Sequence, residues 1–262
     1  MSEEISRQKF LRLLAAGGAS LLGLSANLFG AQNRGPVSPW ARLKYPGRGG
    51  DNDDWNVHPN GDLNLLDAMR EETTLNVDKR WNVAEVDKLS TLTPFPFLFM
   101  HGDVAPELED AERANLREYL LRGGFLFAED CVNGKRHHGS LSDEFFMQMA
   151  AVEIPKIFPD AKLERLPFDH PVFHCFYHFN EGQPHMQGRQ HGLHGVTVDG
   201  RLVMLLSPAD THCGWTNGDR WFGRGKQMQA FQMGCNIYLH AMTQQGSIAT
   251  SSIKPGIQGG AD

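Results

Sequence analysis

The chain has 262 residues, of which 40% are hydrophobic and 21% charged, and its formal net charge is −6 at pH 7. This composition is typical of a globular protein with one large core. An acidic chain without a run of lysines and arginines lacks the clustered positive charge that phosphate binding needs, so we do not expect a nucleic-acid partner.

The N-terminus has the features of an export segment. Arg7, Lys9 and Arg12 form a basic start, and the 21 residues from Leu13 to Asn33 are uncharged. The stretch from Ser6 to Arg12 resembles a twin-arginine signal, with Gln8 at the place of the second arginine. Two interpretations of residues 1–33 stay open, a cleaved signal and an uncleaved membrane anchor, because 21 uncharged residues can span a bilayer. In both, the rest of the chain is expected on the periplasmic side of the cytoplasmic membrane.

The segments that flank the predicted domain are poor in regular patterns. Residues 34–61 are rich in glycine, proline and aspartate, which predicts an extended surface arm or linker. Residues 245–262 are rich in serine and glycine, which predicts a disordered tail. The α/β domain is therefore predicted over residues 62–244.

Within the domain, apolar residues alternate between helical and strand spacing. Leu63, Leu66 and Met69 predict a short helix, and Asp199-Gly200 predicts a hairpin turn. Pro106 opens the next predicted helix, and Gly123-Gly124 follows its end. The further predicted helices are 141–152, capped by Ser142, and 228–242; the predicted strands are 74–77, 95–100, 125–128, 163–166, 196–198 and 202–206. Strands that alternate with helices predict a sheet with helices on both faces.

Several segments carry a family resemblance. The helix–Gly-Gly–strand unit from Leu116 to Asp130 resembles that of class I glutamine-amidotransferase-like domains. More closely, the chain resembles the bacterial domain-of-unknown-function 4159 family over about residues 60–243. The segments that carry this second resemblance are FPFLFMHG (95–102), LLRGGFLFAED (120–130), FPDAKLERLPFDHPVFH (158–174), SPADTHCGW (207–215) and GCNIYLH (234–240). The resemblance implies a flavodoxin-like, three-layer α/β/α fold with a mostly parallel sheet, and it implies no established activity.

Polar residues follow the predicted strands where ligands bind in open α/β sheets, at the carboxyl ends. Asp103, Asp130, His170 and His212 make a mixed nitrogen and oxygen set that predicts a divalent metal site. A polar loop rim without a metal is the alternative. If a metal is present, Glu129 is the candidate general base for a metal-bound water.

The cysteines Cys131, Cys175, Cys213 and Cys235 leave open one disulfide or four buried thiols. We do not expect Cys131 to be a nucleophile. Its neighbours Glu129 and Asp130 raise the pKa of a thiol, and the glycines of a nucleophile elbow are missing.

Half of the histidines lie between His170 and His194. Those at 170, 174 and 178 are spaced by four, but Pro171 and the aromatic residues among them favour extended structure, in which one ion cannot reach all three. The histidines at 185, 191 and 194 lie in a glycine-containing loop, where an exposed polar loop and a ligand cluster both stay open.

A predicted loop of about twenty residues begins at Asp210 and contains Trp215, Trp221 and Phe222. Long loops are often functional, and these rings predict an interaction surface. The alternative is a loop that folds back to complete the core.

Two functional hypotheses follow. The first is an exported, membrane-associated accessory subunit without catalytic activity, which holds other protein subunits at the membrane through residues 34–61 and the aromatic loop. The second is a periplasmic metal-dependent hydrolase that uses the Asp/His set.

Overall fold

The computed structural model describes residues 37–47, 54–132 and 143–251. Its centre is a seven-stranded sheet of order β2-β1-β3-β4-β7-β6-β5. The strands are β1 Ser38–Lys44, β2 Val77–Glu85, β3 Phe97–Gly102, β4 Phe125–Asp130, β5 Leu163–Arg165, β6 His194–Val198 and β7 Arg201–Ser207. The first five strands in that order, β2 to β7, run parallel to one another, and β6 pairs antiparallel with both β7 and β5. The parallel part has the flavodoxin-type order, with its switch point between β1 and β3.

Helices cover both faces of the sheet. They are α1 Asn60–Glu72, α2 Leu89–Leu92, α3 Asp110–Leu121, α4 Glu144–Gln148, α5 Ile154–Ile157, α6 Thr211–Phe222, α7 Lys226–Thr243 and α8 Ile248–Ser251. A π-helical turn, Met149–Glu153, joins α4 to α5. One face packs against α1, α6 and α7, and the other against α2, α3, α4 and α5. The predicted three-layer α/β/α fold is confirmed. Among the described residues, no helix has the length and apolarity needed to cross a membrane.

The interpretation of residues 34–61 as a surface arm is wrong for residues 38–44. These residues form β1, which lies between β2 and β3 and is buried at Trp40, Ala41 and Leu43. The strand was missed because it contains Pro39, is flanked by further prolines and carries Arg42, a residue that is rarely buried unless paired. The pairing that allows its burial comes from α1, outside the segment itself.

The predicted aromatic loop after Asp210 is also wrong, because residues 211–222 form α6. Trp215 is fully buried, and its Nε1 donates to the Ala230 carbonyl at 2.9 Å. The prediction that Trp215 belongs to an interaction surface is therefore wrong, because Trp215 is part of the core. A side chain at Gly214 would lie 2.6 Å from the Ala230 Cβ, so the glycine permits close packing of α6 on α7. Trp221 is 46% exposed and Phe222 is partly buried.

The remaining predictions are largely confirmed. Asp199 and Gly200 have φ of 50° and 77° and turn the hairpin between β6 and β7. Helix α3 begins at Asp110 rather than Pro106, because Glu109 and Glu112 form a capping box. Strand β2 begins at Val77, where the predicted strand 74–77 ends.

The predicted disordered tail is wrong for residues 248–251, which form α8. The backbone N–H of Ile248 donates to the Gly123 carbonyl at 3.0 Å, which ties this helix to the turn after α3. The predicted export segment 1–33, the Ser142 cap and residues 252–262 lie outside the described residues.

Candidate functional site

A row of polar side chains crosses the carboxyl ends of the sheet on the face that α1 and α6 cover. Strand alternation directs Arg42, His101, Glu129 and Ser207 to the same side as the apolar Trp40 and the phenylalanines of β3 and β4. In the register, His101 pairs with Glu129 and Glu129 pairs with Ser207. All four are essentially inaccessible to solvent.

Arg42 is neutralised by Asp62 at the start of α1. Its Nε donates to Asp62 Oδ2 at 2.9 Å, and its Nη2 forms an ion pair with the same oxygen. Trp40 Nε1 donates to Oδ1 at 2.7 Å. Although burial raises the pKa of Asp62, Arg42 and His212 lower it more, to about 2. The carboxylate is therefore ionised at neutral pH.

His212 completes this polar group. Its Nε2 lies 2.8 Å from Arg42 Nη2 and 3.1 Å from Asp62 Oδ2. A guanidinium only donates, so the Arg42 contact requires Nε2 to accept, whereas the Asp62 contact requires it to donate, and the two contacts favour opposite tautomers of the ring. Burial lowers the pKa of His212 to about 4, so the ring is neutral. Its Nδ1 is buried without a hydrogen-bond partner.

Glu129 connects β4 to the start of α6. Oε1 accepts from the Ser207 hydroxyl at 2.8 Å and from the backbone N–H of Thr211 at 2.9 Å, while Oε2 accepts from the backbone N–H of His212 at 2.8 Å. Burial raises the pKa of Glu129 to about 7, against the lowering by Thr211. A carboxylate in this position caps the helix and complements its dipole. Both oxygens are engaged, which does not favour the general-base role predicted for this residue.

A second group lies at the carboxyl ends of β3, β4 and β7. His101, Cys131 and Asp210 are buried, and one ligand atom from each lies within 4.8 Å of the others. Neither ring nitrogen of His101 has a hydrogen-bond partner. Burial, His212 and Arg42 lower the pKa of His101 well below its usual value, so the ring is neutral. Neutral imidazole is the form that binds metal ions.

Asp210 presents one oxygen to this group. Oδ2 accepts from Gln187 Nε2 at 2.6 Å and from the backbone N–H of Val132 at 3.2 Å, whereas Oδ1 is buried without a partner. Burial raises the pKa of Asp210 to about 6, although Gln187 and Cys213 lower it. Asp210 itself has φ of 53°, a left-handed conformation that Asp and Asn tolerate better than most side chains.

Cys213 lies beside the group, with its Sγ 4.0 Å from that of Cys131. The contact with Cys213 lowers the pKa of Cys131, but burial and three nearby carboxylates raise it to about 11. This agrees with the expectation that Cys131 is a poor nucleophile. All four cysteines are free in the structure, Cys175 being exposed and the others buried.

The predicted metal ligands are not brought together as a set. Asp103 is buried close to Cys131, and the His212 ring lies 4.0 Å from that of His101. Asp130 faces the opposite side of the sheet, where Oδ2 accepts from the Phe146 backbone N–H at 2.8 Å. His170 caps the 3₁₀ turn Pro171–Phe173 through Val172 and packs against His240.

The other histidines of the His-rich stretch do not form a metal cluster in the described part of the chain. His174 and His178 approach to 3.4 Å between their Nδ1 atoms, and His191 contacts Asp143 at 2.7 Å. The residues that do converge are close neighbours of three predicted ligands. His101 lies two residues before Asp103, Cys131 follows Asp130, and Asp210 lies two residues before His212.

The sequence profile of the family described as "Domain of unknown function (DUF4159)" matches residues 40–242. The chain belongs to this family. Among solved structures, it is similar to a ThuA-like protein from Bacteroides uniformis, with 10% identity, a TM-score of 0.39, and coverage of 82% of this chain and 96% of the other. No curated protein matches the sequence.

Proposed function

We propose that this domain binds one divalent transition-metal ion, preferably zinc, through His101, Cys131 and Asp210, with Cys213 as the fourth ligand. The observation that carries the proposal is the convergence of three buried ligand atoms within 4.8 Å. The imidazole nitrogens and Asp210 Oδ1 are the buried atoms of this group that lack hydrogen-bond partners.

The cost of burying polar atoms without hydrogen-bond partners supports a bound ion among His101, Cys131 and Asp210. A buried polar atom without a partner costs about 1–3 kcal/mol, and native proteins keep few of them. An ion that accepts one lone pair from His101 and one from Asp210 Oδ1 offsets two of these costs at once.

The donor types favour zinc over magnesium or calcium. Thiolate and imidazole ligands suit zinc, whereas the other two ions prefer oxygen. Two sulfurs bound at about 2.3 Å to a tetrahedral ion lie about 3.8 Å apart, close to the 4.0 Å between Cys131 and Cys213. Gln187 and the Val132 backbone hold Asp210 Oδ2, as outer-shell groups commonly orient a carboxylate ligand.

The proposal retains the metal part of the hydrolase hypothesis with a different ligand set. A catalytic zinc needs a coordination position open to water or substrate, whereas His101, Cys131 and Asp210 are each at most 3% exposed. Four protein ligands make a closed site, and we therefore propose metal binding without assigning hydrolysis.

Export and membrane association are separate proposals that rest on residues 7–33. The accessory-subunit hypothesis loses the support it drew from residues 38–44 and Trp215, which are part of the core. The location is tested by fractionating cells that express the chain and by asking whether protease added from the periplasmic side digests it. Protein confined to the cytoplasm contradicts export.

The metal proposal is tested by purifying the full chain without chelators and measuring metal by mass spectrometry, then titrating the metal-free protein with Co²⁺. We expect one zinc per chain and a Co²⁺ spectrum with thiolate charge-transfer bands. His101→Gln, Cys131→Ser and Asp210→Asn should each lose stoichiometric zinc. Cys235→Ser is the matched control, because Cys235 is a buried free thiol on α7.

Three results bear on the proposal. A wild-type chain that binds neither zinc nor cobalt overturns it, as does full zinc retention in the Cys131 variant. Zinc binding that persists in Cys213→Ser with unchanged thiolate band intensity overturns the assignment of the fourth ligand.

A further inference from the structure

A second candidate site lies beside Pro208 and Ala209, the residues that precede Asp210. It is a cavity of about 720 Å³ between the segment 165–193 and α7, beside the carboxyl end of β7. Its volume falls within the range of about 300–1,000 Å³ that is usual for small-molecule sites. None of the four proposed metal ligands lines this cavity.

The wall of the cavity is held in place by hydrogen bonds. The backbone N–H of Leu166 donates to the Leu193 carbonyl at 2.8 Å, which closes the segment at its two ends. The backbone N–H of Met186 donates to the Ala209 carbonyl at 2.9 Å, which ties its middle to the end of β7. The cavity is therefore bounded by a fixed wall.

Two glycines in this wall make room for the side chains that line the cavity. Gly182 and Gly192 have φ of 81° and 85°, and a side chain on them would lie 2.9 Å from the Phe168 ring and 2.5 Å from Arg165 Nε. Phe168 is 48% exposed although it is large and apolar, and the Arg165 guanidinium lies 5.8 Å from its ring centroid. The wall thus presents a half-exposed aromatic ring that carries a cation over one face.

The opposite wall is one face of α7. Lys226, Gln229 and Gln232 follow at intervals of three residues and all line the cavity. Glu181, which is exposed, is the lining carboxylate, and neither Arg165 nor Lys226 forms an ion pair with a carboxylate in the described part of the chain. Gln183 donates from Nε2 to Ser207 at 2.8 Å, and its Oε1 is buried without a partner.

We propose that this cavity binds an acidic carbohydrate. Carboxamides both donate and accept hydrogen bonds, which suits sugar hydroxyl groups that do the same. The exposed part of the Phe168 ring suits the C–H face of a sugar ring. Arg165 and Lys226, which have no carboxylate partner among the described residues, suit a carboxylate or sulfate on that sugar, since charge-assisted hydrogen bonds are the stronger kind.

The test applies the full-length protein to an array of neutral, uronic, sialic and sulfated glycans, followed by calorimetry with the best acidic glycan and its uncharged counterpart. We expect binding of acidic glycans, at least tenfold weaker binding of the counterpart, and roughly tenfold loss in Lys226→Gln and in Phe168→Ala. Lys156→Gln is the control, since Lys156 is exposed on the opposite helical layer.

The array distinguishes the two acidic groups, because uronic glycans carry carboxylates and the sulfated ones carry sulfates. Three results overturn the proposal. The first is no binding to any acidic glycan on the array, and the second is equal affinity for the uncharged counterpart. The third is binding of the dipeptide Glu-Glu with the same affinity as the acidic glycan, which would show that the cavity recognises negative charge and not a sugar. Zinc content measured in the same variants keeps this test separate from that of the metal site.

Discussion

Replacement of Asp62 by asparagine should destabilise the fold more than any other single charge removal on α1. The substitution leaves Arg42 buried without a counter-charge, and it weakens the contact with Trp40 Nε1. Breaking a buried ion pair by removing one partner typically costs about 3–5 kcal/mol.

The pKa of Asp62 gives an independent lower figure. A fall of the Asp62 pKa from its ordinary value of 3.8 to about 2 corresponds to about 2.5 kcal/mol at about 1.36 kcal/mol per pKa unit. Because the folded pKa is the lower one, this stabilisation is complete above pH 3.8 and is lost as the pH falls through 2. The difference between the two figures reflects the desolvated guanidinium that the variant retains.

The assay is urea unfolding followed by circular dichroism at pH 7 and at steps down to pH 2. Asp67→Asn is the matched control, because Asp67 is exposed on the same helix and should change stability by less than about 0.5 kcal/mol. A loss below about 1 kcal/mol in Asp62→Asn at pH 7, or an acid dependence equal to that of the wild type, would refute the reasoning.

Three further predictions concern single residues and the ion. Burial and, to a lesser extent, His170 lower the pKa of His240 to about 4. The neutral His240 therefore contributes to the free energy of unfolding above the unfolded pKa of about 6.5, and this contribution is lost as the pH falls toward 4. Urea unfolding at pH 7.5 and 5 should show about 2 kcal/mol of this loss, and His240→Gln should remove it, whereas the exposed-site variant His178→Gln should not. Trp215→Ala should cost about 3–5 kcal/mol by thermal or urea unfolding, and Trp221→Ala less than about 1 kcal/mol; equal losses would contradict the core assignment. Chelation of zinc should lower the melting temperature of the wild type and leave that of Cys131→Ser unchanged, and an equal shift in both would argue against specific binding.

The parts of the fold that could be predicted from sequence are those where a single segment carries its own signal. Strands β3 and β4 are continuous apolar runs, and the Asp199-Gly200 turn needs only two residues of positive φ. Strand β1 could not be found this way, because Arg42 is buried only through Asp62, twenty residues further along the chain.

Helix α6 was missed for a related reason. Its glycines and its non-helical Asn217 suggest a loop, yet Gly214 is required for contact with Ala230 of α7. This contact joins two different helices, so it does not appear as a hydrophobic periodicity within residues 211–222.

The candidate site shows the same division. The strand-end rule selected Asp103, Asp130 and His212, each within two residues of a group member, but side-chain direction decides which residues converge. Asp130 and Glu129 are adjacent in sequence and point to opposite faces of the sheet. Asp210 enters because its left-handed backbone turns the carboxylate toward Val132.

The position of β1 inside the sheet constrains how this chain can be processed. Removing residues up to 44 would leave β2 and β3 about 9.6 Å apart, two strand spacings, with both backbone edges unpaired and the partner of Asp62 gone. Any proteolytic maturation that preserves the sheet must therefore cut before Ser38. A fragment designed to start at residue 62 would be an incomplete protein prone to aggregation, so expression work on this family should keep the residues from Ser38 onward.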